Sequence, residues 1–566
     1  MRLNADTVEF ERFLAVASVY WSNNIRTPPS GDEPGCILVE ILHQDLRVAL
    51  RNLTVANALR RIFPARLIVY TGTDQDWSKA LWTRFDTSLV RQLAAAYQAT
   101  DVIDVHEAVT ARIAAAEGDG EVPELAVGNR ILPVDTGRPG IAPEDLESIV
   151  NATACRLLQV PRLAEEHRDC ETYHRVRART TAFSAVYDSL FTAFSPDALV
   201  TSHVDYNHWG LAVESARRFN TPVVHVQTTG TLKAYTLFPE QAAGAPTFRA
   251  ALTNQIGEFF EKRLWPQRTR IRRSAEMVSW RAKGNLGRPS WWRGGATASL
   301  DFRTDTERAQ IRRHAVHRFE FDPDKPTVTV FNHSVSDALG TNVEFFADLA
   351  DWFERTAEHA REHTEVNWLF LDHPSQKLYD VTGFFDGVAK QHADMPHMAF
   401  APSAEVGKNI LWSLTDLAVT VRGSISNELP AYGIQAIQAG WSEWSSCGVS
   451  RVATGIEDYW SLLDTSLAEL RAGVPMVSAE QRERARLWHW FYRSAADVCT
   501  PLVPHWEAGH SELLLRQLRI SMQHVESDGD PAFTATRRMW LRREPFLTRF
   551  DLAGPAQALS DEMWGE

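Results

Sequence analysis

From residue 367 the chain reads NWLFL and then stops at Asp372-His373-Pro374-Ser375. A short unbroken apolar run closed by a turn signal predicts a strand buried on both faces. The same grammar recurs at residues 35–42 (GCILVEIL), 65–72 (ARLIVYTG), 197–204 (DALVTSHV) and 221–226 (TPVVHV). Between the first two lies LRVALRNLTVANALRRIF, residues 46–63, with helical apolar spacing. Residues 143–196 are mostly helical by pattern. Alternating strands and helices of this kind are what a parallel sheet with crossover helices needs.

A second alternating unit starts with PTVTVFNHS. It continues through the amphipathic segment NVEFFADLADWFERTAEHARE, the strand VNWLFLDHPS and the helix AEVGKNILWSL. It ends with TDLAVTVRGS, the short helix ISNELPAYG and the strand IQAIQAG. From about Ile456 the pattern is helical again. Between the two units, KGNLGRPSWWRGGATAS at 283–299 carries the Gly, Pro and Ser of a linker. The paired Trp291 and Trp292 suggest that it packs against something. The expected fold class is α/β.

Composition narrows this reading. The 566 residues are 44% hydrophobic and 23% charged, as in a soluble globular protein of two or three domains. No apolar run approaches the length of a membrane helix. The first residues carry acids where a secretory signal would be basic, so a cytoplasmic location is expected. Five widely spaced cysteines without a CxxC pair argue for reduced thiols, against a zinc site or disulfide framework. A net charge of −13 argues against nucleic acid as a partner. Two stretches run against that charge. Ten basic residues face one acid between 262 and 293, and RRMWLRREPFLTRF at 537–550 interleaves Arg with Trp, Leu and Phe. Such stretches are either solvated helix faces or contacts with an anionic acceptor or membrane surface.

Candidate chemistry sits at strand ends, where ligands gather in open parallel sheets. After LAVTV come Arg422, Gly423 and Ser424, then a helix start. Glycine permits close backbone approach, the following N–H groups favour an anion, and Ser424, Ser426 and Arg422 add donors. This predicts a phosphate cradle. Glu428, one turn after Ser424, is placed to accept a ribose hydroxyl. At the neighbouring end, Pro374 fixes the turn, His373 can donate to a phosphate oxygen and Ser375 can cap the next turn. The third end, FNHSVSD, contributes His333, Ser334, Ser336 and Asp337. There His333 is a candidate acid or leaving-phosphate ligand, and Asp337 a base or an orienting group. In the first unit TSHVDYNHWG packs His203, Asp205, Tyr206 and His208 after a strand. His203 or Asp205 is expected across the cleft as general base. The triplet Asp74-Gln75-Asp76 has the DxD form of metal-dependent sugar transferases. Two similar triplets occur elsewhere, and no metal is assigned. There is no Walker loop, no GxGxxG after a first strand, no GxSxG and no HExxH.

The second unit resembles the donor-nucleotide half of a GT-B glycosyltransferase, and more closely the proteins of bacterial capsule and surface-carbohydrate biosynthesis. Their pattern VNWxxKxHPS, then DxxVTVRGTxxxExxxxGxPxIxAG, appears here as VNWLFLDHPS and DLAVTVRGSISNELPAYGIQAIQAG. An HP element and a serine-rich loop also occur in GT-B sialyl- and Kdo-transferases, which use CMP-sugars. The resemblance implies phosphate binding by His373, Arg422, Gly423 and Ser424. The chain departs from the pattern at Asp372, usually basic, and at Gln435, usually proline.

The resemblance implies two Rossmann-like domains facing a cleft. The expected division is an acceptor-side domain at 1–282 with a helical insertion, a linker at 283–300, a nucleotide-donor domain at 301–475, and a helical tail at 476–566 packing back on the first domain. The implied activity is metal-independent sugar transfer, without a cofactor, from a nucleotide-sugar, such as a CMP-activated ulosonic acid, to a saccharide or lipid-linked acceptor. The enzyme would be peripheral to the inner face of the membrane. The alternatives are a CDP-alcohol-dependent polyol-phosphate transferase of teichoic-acid type, a GT-B-like sugar-nucleotide epimerase or hydrolase, and a non-catalytic scaffold.

Overall fold

The structure, a computed structural model, describes residues 8–26, 35–42, 45–81, 87–117, 124–127, 130–134, 140–227, 231–241, 244–245, 247–269, 305–337, 345–503, 511–525 and 527–554. The linker expected at 283–300 and most of the basic stretch 262–293 lie outside these residues.

The strands, in chain order, are β1 (Gly35–Ile41), β2 (Ala65–Thr71), β3 (Asp101–Asp104), β4 (Glu124–Val127), β5 (Arg130–Pro133), β6 (Ala198–Thr201), β7 (Val223–Val226) and β8 (Ala234–Leu237). They continue with β9 (Thr327–Phe331), β10 (Asn367–Leu371), β11 (Met398–Ala401), β12 (Leu417–Thr420), β13 (Gln435–Gln438) and β14 (Arg451–Val452). Strands β4 and β5 form a small antiparallel ribbon. The others form two six-stranded sheets, ordered β3-β2-β1-β6-β7-β8 and β11-β10-β9-β12-β13-β14. Counting each sheet's own strands, both read 3-2-1-4-5-6, the doubly wound Rossmann order. All pairings are parallel except that of β8 with β7.

The apolar runs explain themselves in this setting. Along β1, Cys36 and Leu38 point into one core, while Ile37, Val39 and Ile41 point into another. In β10, Trp368 and Phe370 face one layer of helices and Leu369 and Leu371 the other. Both faces of each sheet are covered, so period-two alternation disappears from the sequence. Several elements gave no sequence signal, because strands as short as DVID and MAFA (β3 and β11) are too brief for any period to register.

Helix Asp305–Arg318 packs on helix Lys408–Leu414 beside the second sheet, with Arg312 bidentate to Asp416 at 3.0 and 2.7 Å. Helix Ala479–Trp490 lies between the domains. Arg486 donates to the Ala431 carbonyl (3.1 Å), while Trp488 packs near Phe260, Trp444 and Phe546. The chain then returns to the first domain. Val498 bridges Leu232, and helices Ser511–His524 and Pro531–Arg542 pack on helices Val8–Asn24 and Leu46–Arg60. The architecture is GT-B-like: two Rossmann-like domains with their strand ends face to face and a helical C-terminal region. Among the described residues no helix is long and apolar enough to cross a membrane.

Three arginines of the basic stretch at 537–550 have partners within the chain. Arg538 donates to the carbonyls of Thr548 and Arg549 (2.8 and 3.0 Å), Arg542 pairs with Asp551, and Arg543 lies 3.0 Å from Glu240.

Candidate functional site

The pairing register places the chemistry. Phe331 of β9 is aligned with Leu371 of β10 on one side and Thr420 of β12 on the other. Two residues beyond each aligned position come His333, His373 and Arg422. Strands β9 and β12 flank the point where strand order reverses, the crevice of an open α/β sheet. The corresponding crevice of the first sheet lies between β1 and β6, and the loop after β6 carries His203, Asp205 and Tyr206. The two crevices meet: the Tyr206 hydroxyl donates to Asp337 Oδ1 at 2.8 Å.

The partners of each imidazole define its protons. His373 Nδ1 accepts from the Ser375 N–H (3.2 Å) and the Ser334 hydroxyl (2.7 Å), so its proton is on Nε2. His333 Nδ1 lies 3.3 Å from the Ser334 carbonyl, which only accepts, so Nδ1 holds the proton and Nε2 the lone pair. The two rings stack at 5.6 Å with opposite offerings, a donor on His373 and an acceptor on His333. Burial holds both neutral. The titration of His333 is pushed down to about 3, with Arg422 adding to the effect, and that of His373 lies below its ordinary range. Arg422 donates to the Asp337 carbonyl at 3.3 Å, tying the Arg-Gly-Ser loop to the β9 loop.

On the first-domain side, His203 Nδ1 accepts from the N–H groups of Val204 and Asp205, both at 3.1 Å. Its proton is therefore on Nε2 and its lone pair is occupied, which makes it a donor rather than the expected base. Asp205 is 3% exposed and forked by Arg249, with Nε 3.2 Å from Oδ1 and Nη2 2.5 Å from Oδ2. Burial opposes its ionisation, but the Arg249 guanidinium outweighs burial and holds the carboxyl below its usual range. Asp205 is thus committed to a cation, which speaks against its expected role as base. Tyr206 starts a π-helical turn, Tyr206–Gly210, with φ +65°, a strained conformation for a tyrosine that aims its hydroxyl at Asp337.

The Arg-Gly-Ser loop differs from expectation in three places. The Gly423 N–H donates to Thr420 Oγ1 (3.2 Å), and a Cβ at 423 would lie 2.9 Å from that oxygen, so the glycine serves a close approach within the protein. Ser426 is fully buried, donating to the Gly423 carbonyl and accepting from Trp444 Nε1. It is a structural hydroxyl, not a phosphate donor. Glu428 is 3% exposed, accepts from Ser424 Oγ at 3.0 Å and lies 3.4 Å from Lys408 Nζ, so it is not presented to a ribose. The helix here is only four residues, Ile425–Glu428, too short for a useful dipole. Ser424 is exposed at the loop surface, and Ser375 lies beside His373.

Both departures from the family pattern find uses. Asp372 Oδ1 accepts from the Ser403 N–H at 2.5 Å, joining the β10 and β11 loops. The Gln435 amide donates to the Met476 carbonyl (2.7 Å) and exchanges bonds with Gln481 (3.2 and 2.9 Å), which a proline could not do.

Sequence reasoning missed Glu40, Arg249 and His225. Glu40 is buried in β1 and receives the Ser202 N–H (2.9 Å) and hydroxyl (2.6 Å), which positions the β6 loop. An acid inside GCILVEIL was the available signal, since a buried carboxylate requires donors. His225, at the end of β7, lies 3.2 Å from the Ser202 carbonyl and is held neutral by burial, its titration pushed down to about 3. Nothing marked Arg249 in its apolar helix.

His208 turns away from the cleft to join Asp74 and His106. The Arg179 guanidinium lies among them, with Nε 3.0 Å from Asp74 Oδ2 and Nη2 bonded to His106 Nδ1. The group is a buried ion pair among aromatic rings. Asp76 is bidentate with Arg175 at 2.8 and 3.2 Å.

No protein-family model matches the chain, and no curated protein matches it. Among solved structures it is similar to a UDP-GlcNAc 2-epimerase from Neisseria meningitidis bound to UDP-GlcNAc, at 11% identity and TM-score 0.24, covering 81% of this chain and 99% of the other. It is similar to KpsC, a β-Kdo 2,4 transferase of Thermosulfurimonas dismutans, at 14% identity and TM-score 0.29, covering 52% and 79%. It is also similar to MurG of Acinetobacter baumannii, at 10% identity and TM-score 0.24, covering 87% and 100%. The fold assignment rests on the strand order of the chain itself.

Proposed function

We propose that the protein is a glycosyltransferase that uses a nucleotide-sugar donor. The observation that carries this reading is the meeting of two strand-reversal crevices, one bearing His373, His333 and Arg422 and the other His203 and Tyr206. The HPS and RGS motifs, with their resemblance to surface-carbohydrate transferases, support it. In this reading His373 Nε2–H and Arg422 hold the donor phosphate, with Ser375 and Ser424 at its margin. Charge building on the departing phosphate is stabilised by these fixed donors. Asp337, oriented by Tyr206, takes the acceptor proton in place of Asp205. His333 Nε2 accepts a substrate hydroxyl, and His203 Nε2–H donates to the acceptor.

A CMP-activated ulosonic acid is the donor class we favour, because the HP element is shared with transferases that use such donors. A saccharide or lipid-linked acceptor would approach past the β6 loop. Mass spectrometry of products from a panel of nucleotide-sugars and CDP-alcohols tests the proposal. Sugar transfer supports it. Polyol-phosphate transfer, epimerisation, or nucleotide release without transfer each replaces it, and absence of nucleotide binding makes the protein a scaffold. Because Arg542 is already paired with Asp551, we expect Arg542→Ala to leave co-sedimentation with anionic vesicles unchanged at low and high salt.

A further inference from the structure

The second domain carries a cluster that sugar transfer does not use. His359 lies in helix Leu349–Glu362, and His363 caps that helix four residues later. Their rings stand 4.4 Å apart. Asp464, on helix Ile456–Arg471, directs Oδ1 at both, 3.0 Å from His359 Nε2 and 3.7 Å from His363 Nε2. One ligand atom from each residue falls within a sphere where all three lie less than 4.8 Å from one another. We propose that His359 Nε2, His363 Nε2 and Asp464 form a binding site for a borderline divalent transition metal, Zn2+ or a close analogue, which clips the two helices together.

Four observations support this. The spacing is right: ligand atoms about 2.0–2.2 Å from a tetrahedral Zn2+ lie about 3.3 Å from one another, close to the 3.0 and 3.7 Å that separate Asp464 Oδ1 from the two imidazole nitrogens. The tautomer is set: His363 Nδ1 lies 3.0 Å from Glu365 Oε1, and a carboxylate accepts, so the lone pair of His363 is on the Nε2 that faces Asp464. A carboxylate behind a ligating imidazole is the usual outer partner of a metal-bound histidine. The frame is rigid. Thr356 and Tyr459 hydrogen-bond between the same two helices at 2.9 Å, the Trp368 indole N–H donates to the His363 carbonyl at 3.1 Å, and Trp460 lies 4.9 Å from the His359 ring. Access is open, since Asp464 is 54% exposed, which leaves a coordination position for water. Two nitrogen ligands and one oxygen favour Zn2+, Co2+, Ni2+ or Cu2+ over Mg2+ or Ca2+.

His363 precedes β10, whereas His373 follows it, so the site lies at the opposite end of the sheet from the cleft. It is a structural clip within the second domain and is separate from the transfer chemistry. The test uses the full chain, stripped with a chelator and titrated with Zn2+ against a chromophoric competitor. Co2+ absorption reports coordination geometry. One Zn2+ should bind tightly. His363→Gln and Asp464→Asn should each weaken that binding at least tenfold, and Glu365→Gln by about tenfold. Zn2+ should raise the Tm of the parent protein and not that of His363→Gln, because only a state-selective ligand stabilises the fold. Failure to bind Zn2+, or binding that survives His363→Gln and Asp464→Asn unchanged, overturns the site.

Discussion

At the scale of single residues, the cleft works by assigning protons. His373 and His333 are stacked and kept neutral by burial, and they are opposite in tautomer because a backbone N–H faces one Nδ1 and a carbonyl the other. Arg422→Ala and His373→Ala are expected to weaken nucleotide binding by about 1.5–3 kcal/mol each, the range for hydrogen bonds to a charged group. Calorimetry on the folded variants checks this, and unchanged affinity in both removes the phosphate role. The two aspartates facing the cleft should separate cleanly. Asp337→Asn should lower turnover by at least a hundredfold while the fold is kept, as expected for loss of a general base. Asp205→Asn should instead lower stability, by up to about 3 kcal/mol, because it leaves the Arg249 guanidinium without its carboxylate. Urea denaturation and initial rates measured side by side distinguish the two. A catalytic collapse in Asp205→Asn without loss of stability would return the base to 205.

At the scale of elements, loops are tied to one another through side chains that the sequence shows only as departures from a pattern. Gln435 opens β13 and anchors the segment leading to helix Ala479–Trp490 through Met476 and Gln481. Gln435→Ala should cost about 1–2 kcal/mol for buried bonds lost, read as a shift in the denaturation midpoint with an unchanged slope. A midpoint within error of the parent would mean that the anchor carries no weight. The strands themselves were legible because burial on both faces leaves an unbroken apolar run. The loops were legible only in part. Arg-Gly-Ser after a strand marks a functional-looking turn, but whether each hydroxyl faces a ligand or the interior depends on neighbours such as Trp444 and Thr420, which are distant in sequence or hidden in the strand.

At the scale of the whole molecule, buried neutral histidines link folding to pH. His225 and His333 sit at strand ends with titration pushed down to about 3, against about 6.5 in an unfolded chain. As pH falls, the unfolded chain takes up these protons first. Their contribution is therefore fully present above about pH 6.5 and is lost progressively towards pH 3, at no more than about 1.4 kcal/mol per pH unit for each histidine. Denaturation midpoints measured across this window should fall with pH, and His333→Asn should make the slope shallower by one proton. An identical slope in the variant would show that His333 is already charged in the folded protein.

The sequence by itself determined the class of fold and the strand ends that meet at the crevices. Buried parallel strands write themselves as apolar runs, and polar residues that break such runs fall at strand ends. It also marked His333, His373, Arg422, His203 and Asp337 as candidates, all of which the folded chain brings to one junction. Tertiary structure alone decided what each group can do there. An aspartate is a base or half of an ion pair according to whether an arginine reaches it, and a histidine donates or accepts according to which backbone group faces its Nδ1. A serine faces solvent or core according to what packs over it. Those partners come from elsewhere in the chain: Arg249 for Asp205, Trp444 for Ser426, Tyr206 for Asp337. Proton position, charge and access are properties of contacts, and these contacts exist only once the chain has folded, those such as Tyr206 to Asp337 only once the two sheets face each other.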